Sequence, residues 1–270
     1  MATKGWHIAF FILALLLLGA PADKYVFSRW QWAVESGFPV GRLAILLVAA
    51  AILFGFPALR KYSLGLLATP IPSGKAPEIA VALLLNLVCA LGAVGAYALW
   101  VWSFGGEPAM ARWIGNMPKA DEQTRHAISV NAIITFFILG GIVAPIVEEL
   151  VFRGMLFPAW AREWGWVRGA LATSFLFAVI HPNVVSQFMA SLVLICVFRR
   201  TRSLRASIGV HSAFNVLLWY PLAGKFLVPS GAETGEISHW ALQLSCLALA
   251  CVAVPLYLWA SRDAILRVQS

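Results

Sequence analysis

Three apolar stretches of this chain each carry polar side chains of the types that enzymes use for hydrolysis. They are Glu148, Glu149 and Arg153 in the first stretch, His181 at the end of the second, and His211 and Asn215 in the third. Ionisable groups are costly in an apolar environment, so their presence there indicates a functional site by default. The residue types predict acid–base chemistry, because carboxylates and imidazoles take up and release protons in catalysis.

The spacing in the first stretch separates two roles for the glutamates. Glu149 and Arg153 are four residues apart, so on a helix they share a face and can form an ion pair. Glu148 points about 100° away from that pair. We therefore expect Arg153 to neutralise Glu149, and Glu148 to remain free as a general base that activates water.

The histidines and the asparagine supply the other groups that such a reaction needs. His181 can hold the water or protonate the leaving group, while His211 and Asn215, which share a helix face, can donate hydrogen bonds to an oxyanion. A second interpretation places Glu148, His181 and His211 around Zn²⁺, with a water at the open position. The residues leave metal-free and zinc-assisted hydrolysis both open.

A common site requires that these groups lie at similar depths. At a rise of about 1.5 Å per residue, they fall about 9 to 20 Å from the loops at one end of their helices. Taken singly, each has a plainer explanation, because an intramembrane histidine often only packs and a glutamate–arginine pair can only tie helices together. Their conjunction on three stretches at compatible depths favours a catalytic site.

The composition predicts that lipid surrounds these stretches. Of the 270 residues, 61% are hydrophobic and 12% are charged, against about 25% charged in soluble proteins. A soluble fold of this size cannot bury so much apolar surface. The formal net charge of +8 fits membrane orientation better than nucleic-acid binding, because the basic residues separate apolar runs. The four cysteines form no CxxC pair, which argues against a thiolate metal site or a disulfide framework.

We predict an all-α fold, a polytopic membrane helix bundle of about eight transmembrane helices, with the active site between helices 4, 5 and 7. A crossing needs about 20 mostly apolar residues. The chain offers such segments at 6–22, 41–59, 78–103, 127–157, 168–182, 184–198, 205–223 and 239–260. Pro182 disfavours helical geometry at His181, so the fifth and sixth segments are expected to meet in a tight turn at membrane depth.

The segments divide a single integral membrane domain, 1–270, into spans 1–3 (1–126), a catalytic core of spans 4–7 (127–223) and span 8 (224–270). Lys and Arg are more numerous on one side of the predicted membrane, twelve against seven. The positive-inside rule therefore predicts that both termini of this multi-pass protein are cytoplasmic. The first segment also resembles a secretory signal, so a cleaved signal is the alternative to a retained anchor.

The polar residues form three ordered motifs: Glu-Glu-x-x-x-Arg at 148–153, Phe-x-x-x-His at 177–181 and His-x-x-x-Asn at 211–215. In these motifs the chain resembles the CPBP family of intramembrane endopeptidases, which includes the CAAX prenyl proteases and the bacteriocin-processing and self-immunity proteins. The resemblance is carried by 127–223. Each motif alone is a weak signal, but the three together, in order and on separate spans, are highly specific.

The resemblance implies a role for each candidate residue. Glu148 activates the water, His181, His211 and Asn215 complete the catalytic site, and Glu149 and Arg153 orient it. Families of this kind have been interpreted both as metalloproteases and as glutamate-dependent, metal-free proteases. We expect the glutamate mechanism without a cofactor, with zinc as the alternative.

The expected partners are membrane lipid and a membrane-associated protein or lipidated peptide as substrate, with no nucleic acid. The residues do not choose among a prenylated CAAX protein, a leader peptide and a C-terminal sorting signal, and they do not indicate an oligomeric state. One alternative is a non-catalytic immunity or assembly protein of the same family. Another is a transporter with a proton relay, although the chain lacks the repeated interrupted helices of such folds.

Overall fold

The computed structural model describes residues 40–116, 137–181, 183–218 and 228–262, together with the isolated positions 7 and 14. Every regular element in these ranges is helical, which confirms the all-α prediction. The other residues of 6–22, the parts 127–136 and 219–223 of two predicted spans, and both termini lie outside the described residues. The signal-like segment and the location of the termini therefore stay predictions.

The helices of the described ranges are named α1 to α9 in chain order. They are α1 (Val40–Gly55), α2 (Pro57–Ala68), α3 (Ala76–Gly115), α4, α5 (Phe157–Trp164), α6 (Trp166–Val179), α7 (Val184–Thr201), α8 (Leu204–Leu217) and α9 (Ala241–Ala260). The helix α4 joins π-helical Leu139–Val143, α-helical Ala144–Glu149 and π-helical Leu150–Leu156, and α5 continues it directly. Short 3₁₀ helices at Ala232–Thr234 and Ile237–Trp240 precede α9.

The first described helix is shorter than the sequence predicts. The segment 41–59 is expected to form one span, but α1 ends at Gly55 and α2 starts at Pro57 after a bend of 99°. Phe56, between them, is extended, with φ −82° and ψ 123°, because a residue that precedes proline avoids helical geometry. The two helices therefore form a bent pair and not one straight span.

The third predicted span, 78–103, lies within α3, which bends sharply near its end. Gly106 has φ 59° and ψ −159°, a conformation that only glycine adopts readily. Gly92 and Gly95 let the straight part of α3 contact the backbone of α9, because an added Cβ at Gly95 would lie 2.5 Å from the carbonyl oxygen of Gln243. Small residues thus join α3 to α9, as is common between membrane helices.

The break between the fifth and sixth predicted segments falls where the sequence places it. The helix α6 ends at Val179 and α7 begins at Val184, with the side chain of Asn183 accepting a hydrogen bond from the backbone N–H of Ser186. At 14 residues, α6 is about 21 Å long and too short to cross a hydrocarbon core of about 30 Å by itself. His181 thus lies in the turn that joins α6 to α7.

Several described helices are long and apolar enough to cross a membrane. They are Ala76–Gly115, Val184–Thr201 and Ile237–Ala260, with the bent pair of α1 and α2 as a further candidate when it is counted as one span. This confirms the class of fold, a helical membrane bundle. The full number of spans stays a prediction, because the described ranges do not include every predicted segment.

Hydrogen bonds between helix ends gather the basic residues at one end of the bundle. The guanidinium of Arg200 on α7 donates to both carboxylate oxygens of Glu78 on α3, at 2.9 and 3.2 Å. Ser203 donates to the carbonyl oxygen of Thr69 at 3.0 Å, and Arg205 donates to that of Leu67. The ends of α2 and α7 and the beginnings of α3 and α8 therefore lie together, at the end that the sequence predicts to be cytoplasmic.

The helix α4 lies in the centre of the core that positions the candidate site. A buried apolar cluster joins α1, α4, α5, α6 and α8, and its buried members are Ala49, Leu53, Val147, Leu150, Val151, Phe152, Met155, Leu156, Trp160, Phe177 and Leu204. Within α4, every residue from Val147 to Leu156 is buried. Its two glutamates and its arginine are therefore enclosed by protein, and α6 and α8, which carry the candidate histidines, contact the same core.

Candidate functional site

The helix α4 has an unusual hydrogen-bonding register on both sides of its glutamates. Glu148 and Glu149 end the short α-helical part, and π-helical turns precede and follow it. A π-helical turn shifts the side chains that follow it around the helix, and such turns are frequent at functional sites. Arg153 lies in the second π-helical turn, so this local geometry sets its direction relative to the glutamates.

The structure brings Glu148 together with both candidate histidines. Oε2 of Glu148 lies 3.7 Å from Nε2 of His181 and 3.7 Å from Nε2 of His211. The three residues come from α4, the turn after α6, and α8, which correspond to predicted spans 4, 5 and 7. The side chains of Glu148 and His181 are 10% and 20% exposed, against 3% for His211. The cluster is therefore open on the side of Glu148 and His181.

Hydrogen bonds at the far side of each ring define which nitrogen carries the hydrogen. Nδ1 of His181 lies 2.7 Å from the carbonyl oxygen of Phe177, and Nδ1 of His211 lies 3.0 Å from Oε1 of Glu149. A carbonyl and a carboxylate oxygen accept hydrogen bonds, so each Nδ1 is the donor. In a neutral imidazole the other nitrogen is then an acceptor. When both rings are neutral, each Nε2 therefore presents a lone pair to Glu148.

This arrangement puts three hydrogen-bond acceptors next to one another. Oε2 of Glu148 is buried and has no hydrogen-bond partner among the described residues. Acceptors at such distances repel one another unless a donor or a cation lies between them, and an unsatisfied buried acceptor is costly. A water molecule that donates its two hydrogens fits the chemistry of the cluster, as does a bound cation.

Glu149 has a different environment from its neighbour. Its Oε1 accepts a hydrogen bond of 2.8 Å from Nη1 of Arg153, and both side chains are completely buried. The spacing-based prediction of this ion pair is therefore confirmed. The same oxygen accepts from His211, so Glu149 orients an imidazole in the way that carboxylates orient the histidines of many catalytic sites.

Asn215 is half-buried and contacts the first π-helical turn of α4. Its Nδ2 donates to the carbonyl oxygen of Gly140 at 2.9 Å, which ties α8 to α4. An amide nitrogen carries two N–H groups, so this bond uses one of two donors. The described contacts place Asn215 beside α4, not against the Glu148 carboxylate, and its predicted part in stabilising an oxyanion stays a prediction.

Two residues of the site were not among the candidate site residues that the sequence predicts. Phe177 is buried, and its ring stacks on His181 with centroids 4.5 Å apart and lies 4.6 Å from the guanidinium carbon of Arg153. Its place in the Phe-x-x-x-His motif gives a signal in the sequence, because residues four apart share a helix face.

Ser191 on α7 accepts a hydrogen bond of 2.9 Å from Nη2 of Arg153. No spacing pattern marks Ser191, which is separated from Arg153 by 38 residues.

The three converging side chains match a zinc site in type but not fully in distance. Two imidazole nitrogens and a carboxylate oxygen are usual zinc ligands, and bond lengths of about 2.0 Å in a tetrahedron put ligand atoms about 3.3 Å apart. Here both histidine nitrogens lie 3.7 Å from the carboxylate oxygen. Over the described ranges, no group of three His, Cys, Asp or Glu side chains has the geometry to hold a metal ion.

The fold and the site together define a helical membrane protein with an enclosed glutamate–histidine cluster. Residues 130–217 match the family model described as Type II CAAX prenyl endopeptidase Rce1-like, and all the candidate residues lie in that range. Over these residues the chain is similar to that endopeptidase family, and its long apolar helices are those of an integral membrane protein.

The chain is also similar to a curated protein that is named as a membrane peptidase. This chain is 21% identical over 132 residues to the protein named "Putative membrane peptidase YdiL" of Bacillus subtilis (strain 168), an alignment that covers 47% of this chain and 54% of the relative. The chain thus spans about half the length of the curated relative that it matches. No solved structure matches the chain significantly.

Proposed function

We propose that this protein is an intramembrane endopeptidase that hydrolyses a peptide bond of a membrane-associated substrate with a water activated by Glu148. The observation that carries the proposal is the convergence of both Nε2 atoms on Oε2 of Glu148, at 3.7 Å each. The match to the endopeptidase family supports it, since the matched residues include the whole cluster.

The reaction uses Glu148 and one of the two imidazoles to hold one water. The water donates one hydrogen to Glu148 and the other to an imidazole, and Glu148 takes the first proton as the oxygen attacks the carbonyl carbon. The second N–H of Asn215 donates to the resulting oxyanion. The C–N bond then breaks, and the proton held by Glu148 passes to the leaving nitrogen. The products are a new carboxyl terminus and a new amine.

His211 has a more restricted part than the sequence suggests. Its Nδ1–H is used by Glu149, so a neutral His211 has no N–H for the oxyanion. Only a protonated imidazole donates from Nε2 while its Nδ1–H is in use. In a zinc-dependent form of the reaction, Glu148, His181 and His211 would be the ligands, and the metal would polarise the water.

The substrate that fits this site is a peptide segment that is held at the membrane. The open side of the cluster is formed by Glu148 and His181, and the residues next to His181 in the chain, Val179, Val184 and Val185, are exposed apolar residues. Such a surface favours lipid chains and apolar segments over free soluble peptides. We therefore propose lateral entry of a lipidated or membrane-anchored substrate from the bilayer.

Cleavage assays in liposomes test this function. Wild-type protein and the Glu148→Gln variant are incubated with lipidated, transmembrane-tailed and soluble peptides, with and without a strong chelator. The proposal predicts cleavage of the membrane-held peptides by wild-type protein, loss of more than about 100-fold on Glu148→Gln, and no effect of chelation. The matched control is Glu163→Gln, a change of the same type at an exposed position of α5, which is expected to retain activity.

Each contrary result has a distinct meaning. Chelation that abolishes cleavage, with recovery on addition of Zn²⁺, would replace the metal-free mechanism by the zinc-dependent one. Equal cleavage of soluble peptides would contradict lateral entry. Unchanged cleavage by Glu148→Gln would contradict the role of Glu148 as the group that activates water. No cleavage of any peptide by wild-type protein would contradict the proposal and favour a non-catalytic protein.

A further inference from the structure

A buried chain of hydrogen bonds runs from α7 to the candidate site. The hydroxyl oxygen of Ser191 accepts from Nη2 of Arg153 at 2.9 Å, and Nη1 of Arg153 donates to Oε1 of Glu149 at 2.8 Å. The same Oε1 accepts from Nδ1 of His211 at 3.0 Å. Ser191, Arg153 and Glu149 are each 0% exposed and His211 is 2% exposed, so water does not screen any link of this chain.

Ser191 supplies two of the contacts that fix the Arg153 guanidinium. Nη2 donates to the Ser191 hydroxyl and also, at 3.2 Å, to the Ser191 carbonyl oxygen. The ring of Phe177 covers one face of the same guanidinium at 4.6 Å. A guanidinium is a rigid planar fork, so contacts on Nη1, Nη2 and one face define its position and its plane.

The position of the guanidinium determines that of the carboxylate beyond it. One oxygen of Glu149 is shared by Arg153 and His211, so a rotation of the guanidinium moves the atom that orients the imidazole. That imidazole directs its Nε2 at Glu148. Small displacements of orienting groups have large effects on catalysis, because reacting atoms must be held close to their productive geometry.

We propose that Ser191 is a positioning residue of the hydrolytic site, which acts through Arg153 and Glu149 to hold His211 in the Nδ1–H tautomer. The inference rests on the proposed function for its catalytic consequence. The segment that contains α6 and α7 then contributes to the site in two ways. The turn before α7 places His181 next to Glu148, and Ser191 within α7 orients His211 through Arg153 and Glu149.

Steady-state cleavage of a membrane-held peptide measures the catalytic consequence. Ser191→Ala removes the hydroxyl and keeps the backbone carbonyl, and it is expected to lower kcat about tenfold with KM unchanged, as is typical for partners that orient catalytic groups. Ser174→Ala is the matched control. Ser174 is also 0% exposed, and its hydroxyl has no hydrogen-bond partner among the described residues, so its loss is expected to leave kcat unchanged.

A spectroscopic measurement tests the same inference independently of cleavage. Nitrogen NMR of protein labelled with ¹⁵N-histidine distinguishes the Nδ1–H from the Nε2–H tautomer, and a His211→Gln sample assigns one of the five histidines. We expect the Nδ1–H signature for His211 in wild-type protein and in Ser174→Ala. In Ser191→Ala we expect a mixture of tautomers.

The two readouts separate failure of this inference from failure of the proposed function. An unchanged His211 signal in Ser191→Ala overturns the inference, whatever the activity. A changed signal with the kcat of wild-type protein also overturns it, because the orientation would then have no catalytic consequence. If wild-type protein cleaves no peptide, the proposed function fails, and the NMR signal alone decides whether Ser191 holds His211.

Discussion

The α3–α9 contact and the surroundings of α4 are held together by different interactions. On α3, Gly92 and Gly95 allow backbone contact with α9 at Gln243 and Leu247. On α4, Glu149 and Arg153 form a completely buried ion pair that also holds His211. Close packing of small residues is sufficient to join helices in lipid. The α3–α9 contact therefore needs no buried charge, whereas the charges of α4 bond to residues of α7 and α8.

The family match divides the molecule in the same way. The matched residues, 130–217, include α4 to α8 and leave out α3 and α9. Burial of an ion pair costs desolvation free energy that its own attraction often fails to recover. The bundle thus combines two helices, α3 and α9, that pack through small residues with helices whose buried polar contacts surround the candidate site.

The largest expected effect on stability comes from breaking the buried ion pair. Glu149→Gln leaves the Arg153 guanidinium buried without its carboxylate, which is expected to lower the free energy of unfolding by about 3–5 kcal/mol. Thermal unfolding in detergent measures the change. Glu148→Gln, at the adjacent position, is the control and is expected to change it less, because Oε2 of Glu148 has no hydrogen-bond partner among the described residues. Equal losses for the two variants would contradict the different roles of the glutamates.

An intermediate effect is expected at the contact between α3 and α9. Gly95→Ala places a Cβ 2.5 Å from the carbonyl oxygen of Gln243, so the helices must separate, at a cost of about 1–3 kcal/mol. Gly209→Ala on α8 is the control, because nothing lies within 4 Å of its Cβ. It is expected to be neutral or to stabilise the protein by up to about 1 kcal/mol. The packing explanation is wrong if both variants unfold at the same temperature.

The smallest effect is expected where α2 contacts α4. The hydroxyl of Tyr62 donates to the carbonyl oxygen of Gly154 at 2.6 Å, next to Arg153. Tyr62→Phe is expected to lower the free energy of unfolding by about 1 kcal/mol, again measured by thermal unfolding. Tyr97→Phe, at an exposed position of α3, is the control and should have no effect. A loss as large as that of Glu149→Gln would contradict the small contribution expected of this one hydrogen bond.

The parts of the site that depend on local spacing could be predicted from the sequence. The four-residue interval between Glu149 and Arg153 predicts their ion pair, and Pro182 predicts the end of α6 before His181. The meeting of Glu148 with the histidines follows from three motifs on separate apolar stretches. In each case the signal lies within a few residues or in a pattern of polar residues among apolar ones.

Other features depend on contacts that no local pattern encodes. The π-helical turns of α4 have a hydrogen-bonding register that packing against neighbouring helices can impose. In the sequence Ser191 is a serine in an apolar helix, and no pattern predicts its contact with Arg153, 38 residues away. The sequence does contain a local signal for the bend at Phe56, because Pro57 follows it. The span 41–59 is predicted from its summed hydrophobicity, which a single proline hardly changes. Hydropathy predicts which segments enter lipid better than where they bend.

The most direct test of the central claim is whether the two histidines act as one site with Glu148. Values of kcat/KM are measured for His181→Gln, His211→Gln and the double variant, at equal amounts of folded protein. A single site predicts that each change lowers kcat/KM by about 100-fold or more, and that the double variant is hardly worse than either single one. A double variant whose loss equals the product of the two single losses, or a single variant with wild-type activity, would contradict the account.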